Sequence, residues 1–320
     1  MGMPWTGVPG HWPRRSLSDP AASHWFMEEL PSPGDAGHPA QRGTGLVQHA
    51  YNPGVAAWRG RTVLACRVGS GPVSGIWIGY LRQDLSPRRD RFVEVLPYHE
   101  GESFEDPRLF VHRGRLFLTC AVVRHSHTAQ CIVEIGKDLR ARWFREFKSP
   151  EGRSVEKNWV FFSHGKDMYC VYHGGRGMHE VHEFGSGEMV PRWSTPNAME
   201  WHWGEIRGGS SPVPADGQYW TFFHSRCLQK RALRYFMGAY AFEACPPFRV
   251  TAYTPMPLYT PPEPSRCFGP RDVKHVIFPG GLLRVGGEWL VFSGYNDERI
   301  VVSRISHARL AGLMVKLPGR

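Results

Sequence analysis

Paired cysteines, long apolar runs and helical periodicity are all scarce in this 320-residue chain, and each shortage excludes something. Cys66, Cys120, Cys131, Cys170, Cys227, Cys245 and Cys267 form an odd set with no C-x-x-C pair. That argues against a disulfide framework or a cysteine-held metal, and makes a reducing, cytosolic setting with buried thiols the expectation. Nowhere do about 18 apolar residues run together, so no membrane span is expected. Met1 to Pro13 carries neither a basic n-region nor an apolar h-region, so no secretion signal is expected either. No strand-helix-strand alternation recurs, which weighs against doubly wound α/β folds. Only Ser225 to Arg234 reads as a short turn or helix.

Acidic residues are the minority charge. Lys and Arg number 39 against 29 Asp and Glu, a formal +10, which favours anionic partners such as phosphate, nucleotide sugars or nucleic acid. No recognised nucleic-acid module accompanies that charge, so nucleic acid is not the expected partner. A metal is not expected either, because neither His125 with His127 nor His179 with His182 has an acidic or cysteine partner at ligand spacing.

What the chain does have is a repeat. An alternating apolar strand, a short turn with glycine and a second strand rich in aromatic and β-branched residues recur in five segments. These are GVAAWRGRTVLACRV from Gly54, LFVHRGRLFLTCAVV from Leu109, VFFSHGKDMYCVYHG from Val160, PVPADGQYWTFFHS from Pro212 and LLRVGGEWLVFSGY from Leu282. The turn glycines Gly60, Gly114, Gly165, Gly217 and Gly287 lie 54, 51, 52 and 70 residues apart. A period near 50 residues is that of four-stranded blades arranged radially. The fold class predicted is therefore all-β, a five-bladed β-propeller over residues 46–320. Residues 1–45, rich in Pro, Gly and His without periodicity, read as a poorly structured N-terminal arm.

Innermost strands of a propeller converge, so polar residues at one phase of each repeat should meet. Asn52, Glu105-Asp106-Pro107-Arg108, Glu156-Lys157-Asn158 and Glu205-Ile206-Arg207 precede their hairpins. Arg67, His173, His224 and Asn296-Asp297 stand at or just beyond hairpin ends. Singly, each has a plain structural reading: Asp before Pro is commonly a turn, and a lone His is commonly a core residue. Recurrence of charged groups at one phase is what a purely structural repeat does not require. Carboxylic acids, amides, cations and aromatic faces together suit a sugar and the protonation of a glycosidic oxygen.

The run Phe104-Glu105-Asp106-Pro107-Arg108 resembles the E-D-P-R signature of glycoside hydrolase family 130, five-bladed mannoside phosphorylases with related mannosyltransferases and hydrolases. The resemblance extends from Tyr51 to Asp297, through Asn52-Pro53, Arg67, the stretch Gly208 to His224, Phe278-Pro279-Gly280-Gly281 and Tyr295-Asn296-Asp297. It implies Asp106 as proton donor and Asn52, Arg67, Glu105, Arg108, Asn158 and Asp297 as sugar ligands. Lys157, Arg207 and His224 would bind phosphate. No cofactor is implied, only inorganic phosphate or a nucleotide sugar as co-substrate, with an oligosaccharide or sugar phosphate as substrate and no membrane. Where the family's phosphorylases place Arg after the histidine of the third hairpin, this chain has His173-Gly174, with Arg176 nearby. Two alternatives stay open: an inverting hydrolase with Glu205 as base, its carboxyl ~6.5 to 9.5 Å from the acid, and a propeller that binds glycans without catalysis. Homo-oligomerisation stays open too.

Overall fold

Hairpin turns frame the architecture of the computed structural model, which describes residues 26–30, 49–70, 73–88, 91–172, 177–185, 187–229, 232–259 and 276–318. In the first, second and fourth repeats both loop residues have positive φ: Arg59-Gly60, Arg113-Gly114 and Asp216-Gly217. That is the type I′ pattern, whose twist matches the strands it joins. In the third and fifth only the leading residue, Gly165 or Gly286, is left-handed, the place where a II′ turn needs glycine. The fifth turn therefore pivots on Gly286 rather than on Gly287.

Five antiparallel sheets follow, and they make a five-bladed β-propeller. After β1 (Phe26–Leu30), blade one contains β2 (His49–Trp58), β3 (Arg61–Ser70), β4 (Val73–Tyr80) and β5 (Val93–Leu96). Blade two contains β6 (Glu102–His112), β7 (Arg115–Arg124), β8 (Thr128–Ile135) and β9 (Ala141–Glu146). Blade three is β10 (Val160–His164), β11 (Asp167–Tyr172), β12 (Met178–Gly185) and β13 (Glu188–Pro196). In blade four β14 (Glu205–Gly208) and β15 (Val213–Ala215) share the inner position beside β16 (Gln218–Gln229), followed by β17 (Ala232–Glu243) and β18 (Val250–Tyr253). Blade five runs β19 (Ile277–Val285), β20 (Glu288–Tyr295) and β21 (Arg299–Ser306), and β1 supplies its outer strand, Phe26 pairing Arg304 and Leu30 pairing Ile300.

The first and last strands of the described residues are thus stitched into blades. Helix α1 (His307–Gly312) is capped by the Ser306 hydroxyl, and β22 (Val315–Lys316) then adds to β18 of blade four. The strand β1 lies inside the segment expected to be an arm; the rest of that segment, like Cys267, falls outside the described residues. Ser225 to Arg234 is not a helix: it belongs to the longest hairpin, β16 with β17, in which Gln229 pairs Ala232.

Blades pack face to face, so both faces of most strands are apolar. On β7, Leu116, Leu118, Cys120 and Val122 join Ala65, Ile76 and Ile78 of blade one, whereas Phe117 turns to Trp159 and Phe161 of blade three. Equivalent clusters lie between blades three and four, four and five, and five and one. The hydrophobic effect thereby closes the ring, at about 25 cal/mol for each Å² of apolar surface removed from water. Cys66, Cys120 and Cys170 are wholly buried in these seams.

Several imidazoles are buried in the ring as well. Burial holds His182 at about 4, His112 lies below its ordinary value, and His224 far below it, in each case through desolvation first. In the unfolded chain these groups take up protons near pH ~6.5. A folded value below the unfolded one gives stability that is present above the unfolded pKa and lost as pH falls through the window below it. The melting temperature should therefore drop between about pH 6.5 and 4, and His182→Gln should flatten that slope. Identical slopes for variant and wild type would remove His182 from the account.

Candidate active site

The inner strands do not run straight to the axis. Pairing slips between Tyr51 and Gly54 in β2, between Glu105 and Arg108 in β6, and between Pro279 and Gly281 in β19. Such bulges re-aim side chains next to functional sites. Within the first two, Asn52 and Asp106 have φ of 47° and 56°, and Asn158 at the head of blade three has 69°. Positive φ is uncommon for non-glycine residues and tolerated best by Asn and Asp, and these three stand at the same phase of their repeats.

These three residues are then joined. Asn52 Nδ2 donates to Asp106 Oδ1 at 2.8 Å, while Asn52 Oδ1 is buried without a hydrogen-bond partner. A Cβ at Gly294 would overlap that amide, so blade five presses glycine against blade one here. Arg108 donates from Nη1 to the Asp106 carbonyl at 3.0 Å, and from Nη2 to Asn158 Oδ1 at 3.1 Å and the Gly208 carbonyl at 3.0 Å. Its Nε donates to the Gly209 carbonyl, and the guanidinium lies 5.3 Å over the Phe278 ring. Burial pulls Arg108 down to about 10 against the attraction of Asp106, which leaves it charged at neutral pH.

Beside this floor stands an ionic wall. Glu105 sits between Arg67, at 2.9 Å, and Lys157, at 3.4 Å. Arg67 Nε donates to Ser74 Oγ at 2.9 Å, that hydroxyl donates to the Phe104 carbonyl at 3.0 Å, and the guanidinium covers the Tyr51 ring at 5.0 Å. Burial pushes the Tyr51 hydroxyl up to about 12; Arg67 opposes the shift, and Asp297, Asp106 and Glu105 add to it. Asp297 is half-buried and shares a left-handed turn with Asn296, each at φ 56°. Asn296 fixes that turn, its amide N–H donating to the Val276 carbonyl and its Oδ1 accepting from the Val276 amide.

The third group lies on blade four. His224 is 2% exposed, stacks on Tyr235 with centroids 5.7 Å apart and leaves Nδ1 without a partner. After burial, the charges that hold its imidazole neutral are Arg108, Arg207, Lys157 and Arg226, so those cations surround it. Arg207 is its direct cross-strand neighbour and is gripped by Glu205 at 2.9 Å and 3.2 Å.

The residues singled out in the sequence thus fall into contacting groups: Asn52, Asp106, Arg108 and Asn158; Arg67, Glu105 and Lys157; and Arg207 with Glu205, opposite His224. Arg108 is 1% exposed and four of its five N–H groups donate to protein acceptors, so most of its donor capacity supports the floor. Glu205 is 53% exposed on its side chain and engaged with Arg207, an arrangement suited to orienting that cation. Tyr51 was not anticipated, although an aromatic residue directly before Asn52-Pro53 was there to be read. His173, Gly174 and Arg176 lie outside the described residues.

No protein-family profile matches this chain, and no curated protein sequence matches it. Solved structures do. The β-1,2-mannobiose phosphorylase of Listeria innocua, in complex with β-1,2-mannobiose, superposes with a TM-score of 0.65 at 16% identity, covering 90% of this chain and 98% of that one. A glycosyl hydrolase from Bacteroides ovatus gives 0.60 at 14% identity over 85% and 87%. A structure reported for family 130 hydrolases that target β-1,2-mannosidic linkages in Candida mannan gives 0.58 at 14% over 81% and 84%. The fold is thus a distant version of the family 130 propeller, as the E-D-P-R resemblance implied.

Proposed function

We propose that this chain is an inverting carbohydrate-active enzyme for β-mannosides, with Asp106 as general acid and phosphate as the attacking group. One arrangement carries the reading: a buried carboxyl on a left-handed bulge, hydrogen-bonded by Asn52, shares Arg108 with blade four and follows Glu105, which pairs with Lys157, while Arg207 lies opposite His224. Asp106 gives its proton to the bridging oxygen, directly or through a sugar hydroxyl, while a phosphate oxygen attacks the anomeric carbon from the opposite face. The bond from that carbon to the leaving sugar breaks, and the products are a sugar phosphate and a free hydroxyl. Asn52, Arg67, Glu105, Asn158 and Asp297 surround the sugar, and Tyr51 backs Arg67. Cations that can replace the hydration of a phosphate dianion give a water nucleophile no comparable help.

Incubation with β-1,2-mannobiose should yield mannose 1-phosphate only when phosphate is present. Arg207→Ala should weaken phosphate binding in calorimetry by about 1.5 to 3 kcal/mol, the range for a hydrogen bond to a charged group. Release of free mannose at full rate in phosphate-free buffer would instead support the hydrolase with Glu205 as base.

A further inference from the structure

We propose that Arg226 extends the anion site by one position along β16, so that the site prefers a ligand with two linked phosphoryl groups over a single phosphate. This rests on the anion-binding reading of Lys157, Arg207 and His224 and extends its ligand from a single phosphate to two linked phosphoryl groups.

Arg226 lies two residues after His224 on β16, so both side chains leave the same face, about 7 Å apart along the strand. The β14 register puts Arg207 opposite His224 and Glu205 opposite Arg226. A simple structural pair would join Glu205 to Arg226 across the ladder. The carboxylate instead turns along its own strand to Arg207. On the other flank Arg226 faces Tyr235, whose ring stacks on His224. Among the described residues Arg226 thus has no carboxylate partner, although it is half-buried and close enough to His224 to hold that imidazole neutral.

The backbone beneath it is fixed as well, because a Cβ at Gly204, φ 94°, would overlap the Arg226 carbonyl. An unpaired arginine near a second arginine, Arg207, repels it unless an anion joins them, and the neutral imidazole between them has a buried ring nitrogen without a partner. One dianion already has Lys157, Arg207 and His224. A third cation, one strand step outward from the neutral His224, matches a second phosphoryl group in the same ligand, and arginine's fork suits phosphate oxygens. A nucleoside diphosphate sugar and inorganic pyrophosphate share that chemistry.

Calorimetric titrations with orthophosphate, pyrophosphate and a nucleoside diphosphate hexose would test the assignment, on wild type and on Arg226→Gln whose melting temperature is unchanged. Wild type should bind pyrophosphate more tightly than orthophosphate, by roughly tenfold or more. Arg226→Gln should erase that preference and leave orthophosphate affinity within about threefold, a difference below 1 kcal/mol. Binding of the nucleotide sugar with the same Arg226 dependence identifies the diphosphate as its recognised part. Equal losses for both inorganic anions, or no loss for either, would overturn the role of Arg226 while leaving phosphorolysis standing. Tight, Arg226-dependent pyrophosphate binding without phosphate-dependent cleavage would do the reverse.

Discussion

Asp106→Asn should fold normally and turn over a β-mannoside about 10²- to 10⁴-fold more slowly than wild type, the usual contribution of a positioned general acid. The substitution is almost isosteric. It keeps an oxygen to accept from Asn52 Nδ2, the 2.8 Å contact that ties blade one to blade two, and Asn tolerates the φ of 56° as well as Asp does. It removes only the transferable proton. Substrate affinity should change little, so the loss should fall on kcat. A donor with an activated leaving group, such as a nitrophenyl mannoside, should recover part of the rate, because departure then needs less protonation. Full turnover of an unactivated mannoside by folded Asp106→Asn would assign the acid elsewhere.

The repeat made most of this legible. Four turn glycines at 51 to 54 residues, with a fifth hairpin further on, mark the repeat, and hairpins with the same polar phase bring Asn52, Asp106 and Asn158 together. What stayed hidden depends on distant partners. The segment Phe26–Leu30 carries two glutamates in a Pro- and Gly-rich context, and its pairing with Arg299–Ser306 spans nearly the whole chain, so no local pattern announces it. The hairpin of β16 and β17 reads as a turn because Arg226, Gln229, Lys230 and Arg231 interrupt its alternation. Arg226 itself looks like a solvated strand-end charge until the register shows that Glu205 is engaged with Arg207.

Arg108 shows the same limit at the site, and replacing it should have the largest effect on stability. In sequence it closes the E-D-P-R run, and the family 130 resemblance implies a sugar ligand there. In the fold it reaches acceptors about 50 and 100 residues away, on blades three and four. Arg108→Leu would leave the Asp106, Gly208 and Gly209 carbonyls and Asn158 Oδ1 facing a hydrocarbon, and each buried acceptor without a donor costs about 1 to 3 kcal/mol. Removing one member of a buried charged set typically costs about 3 to 5 kcal/mol, and Arg108→Leu should reach at least that. Arg108→Lys should rescue little, since an ammonium cannot reproduce a planar fork that meets four acceptors. Arg67→Leu is the contrast: its loss frees Glu105, which keeps Lys157, so binding should suffer more than folding. Chemical denaturation of the three variants decides the matter. An unchanged midpoint for Arg108→Leu together with lost mannoside affinity would return Arg108 to the sugar and take it out of the scaffold.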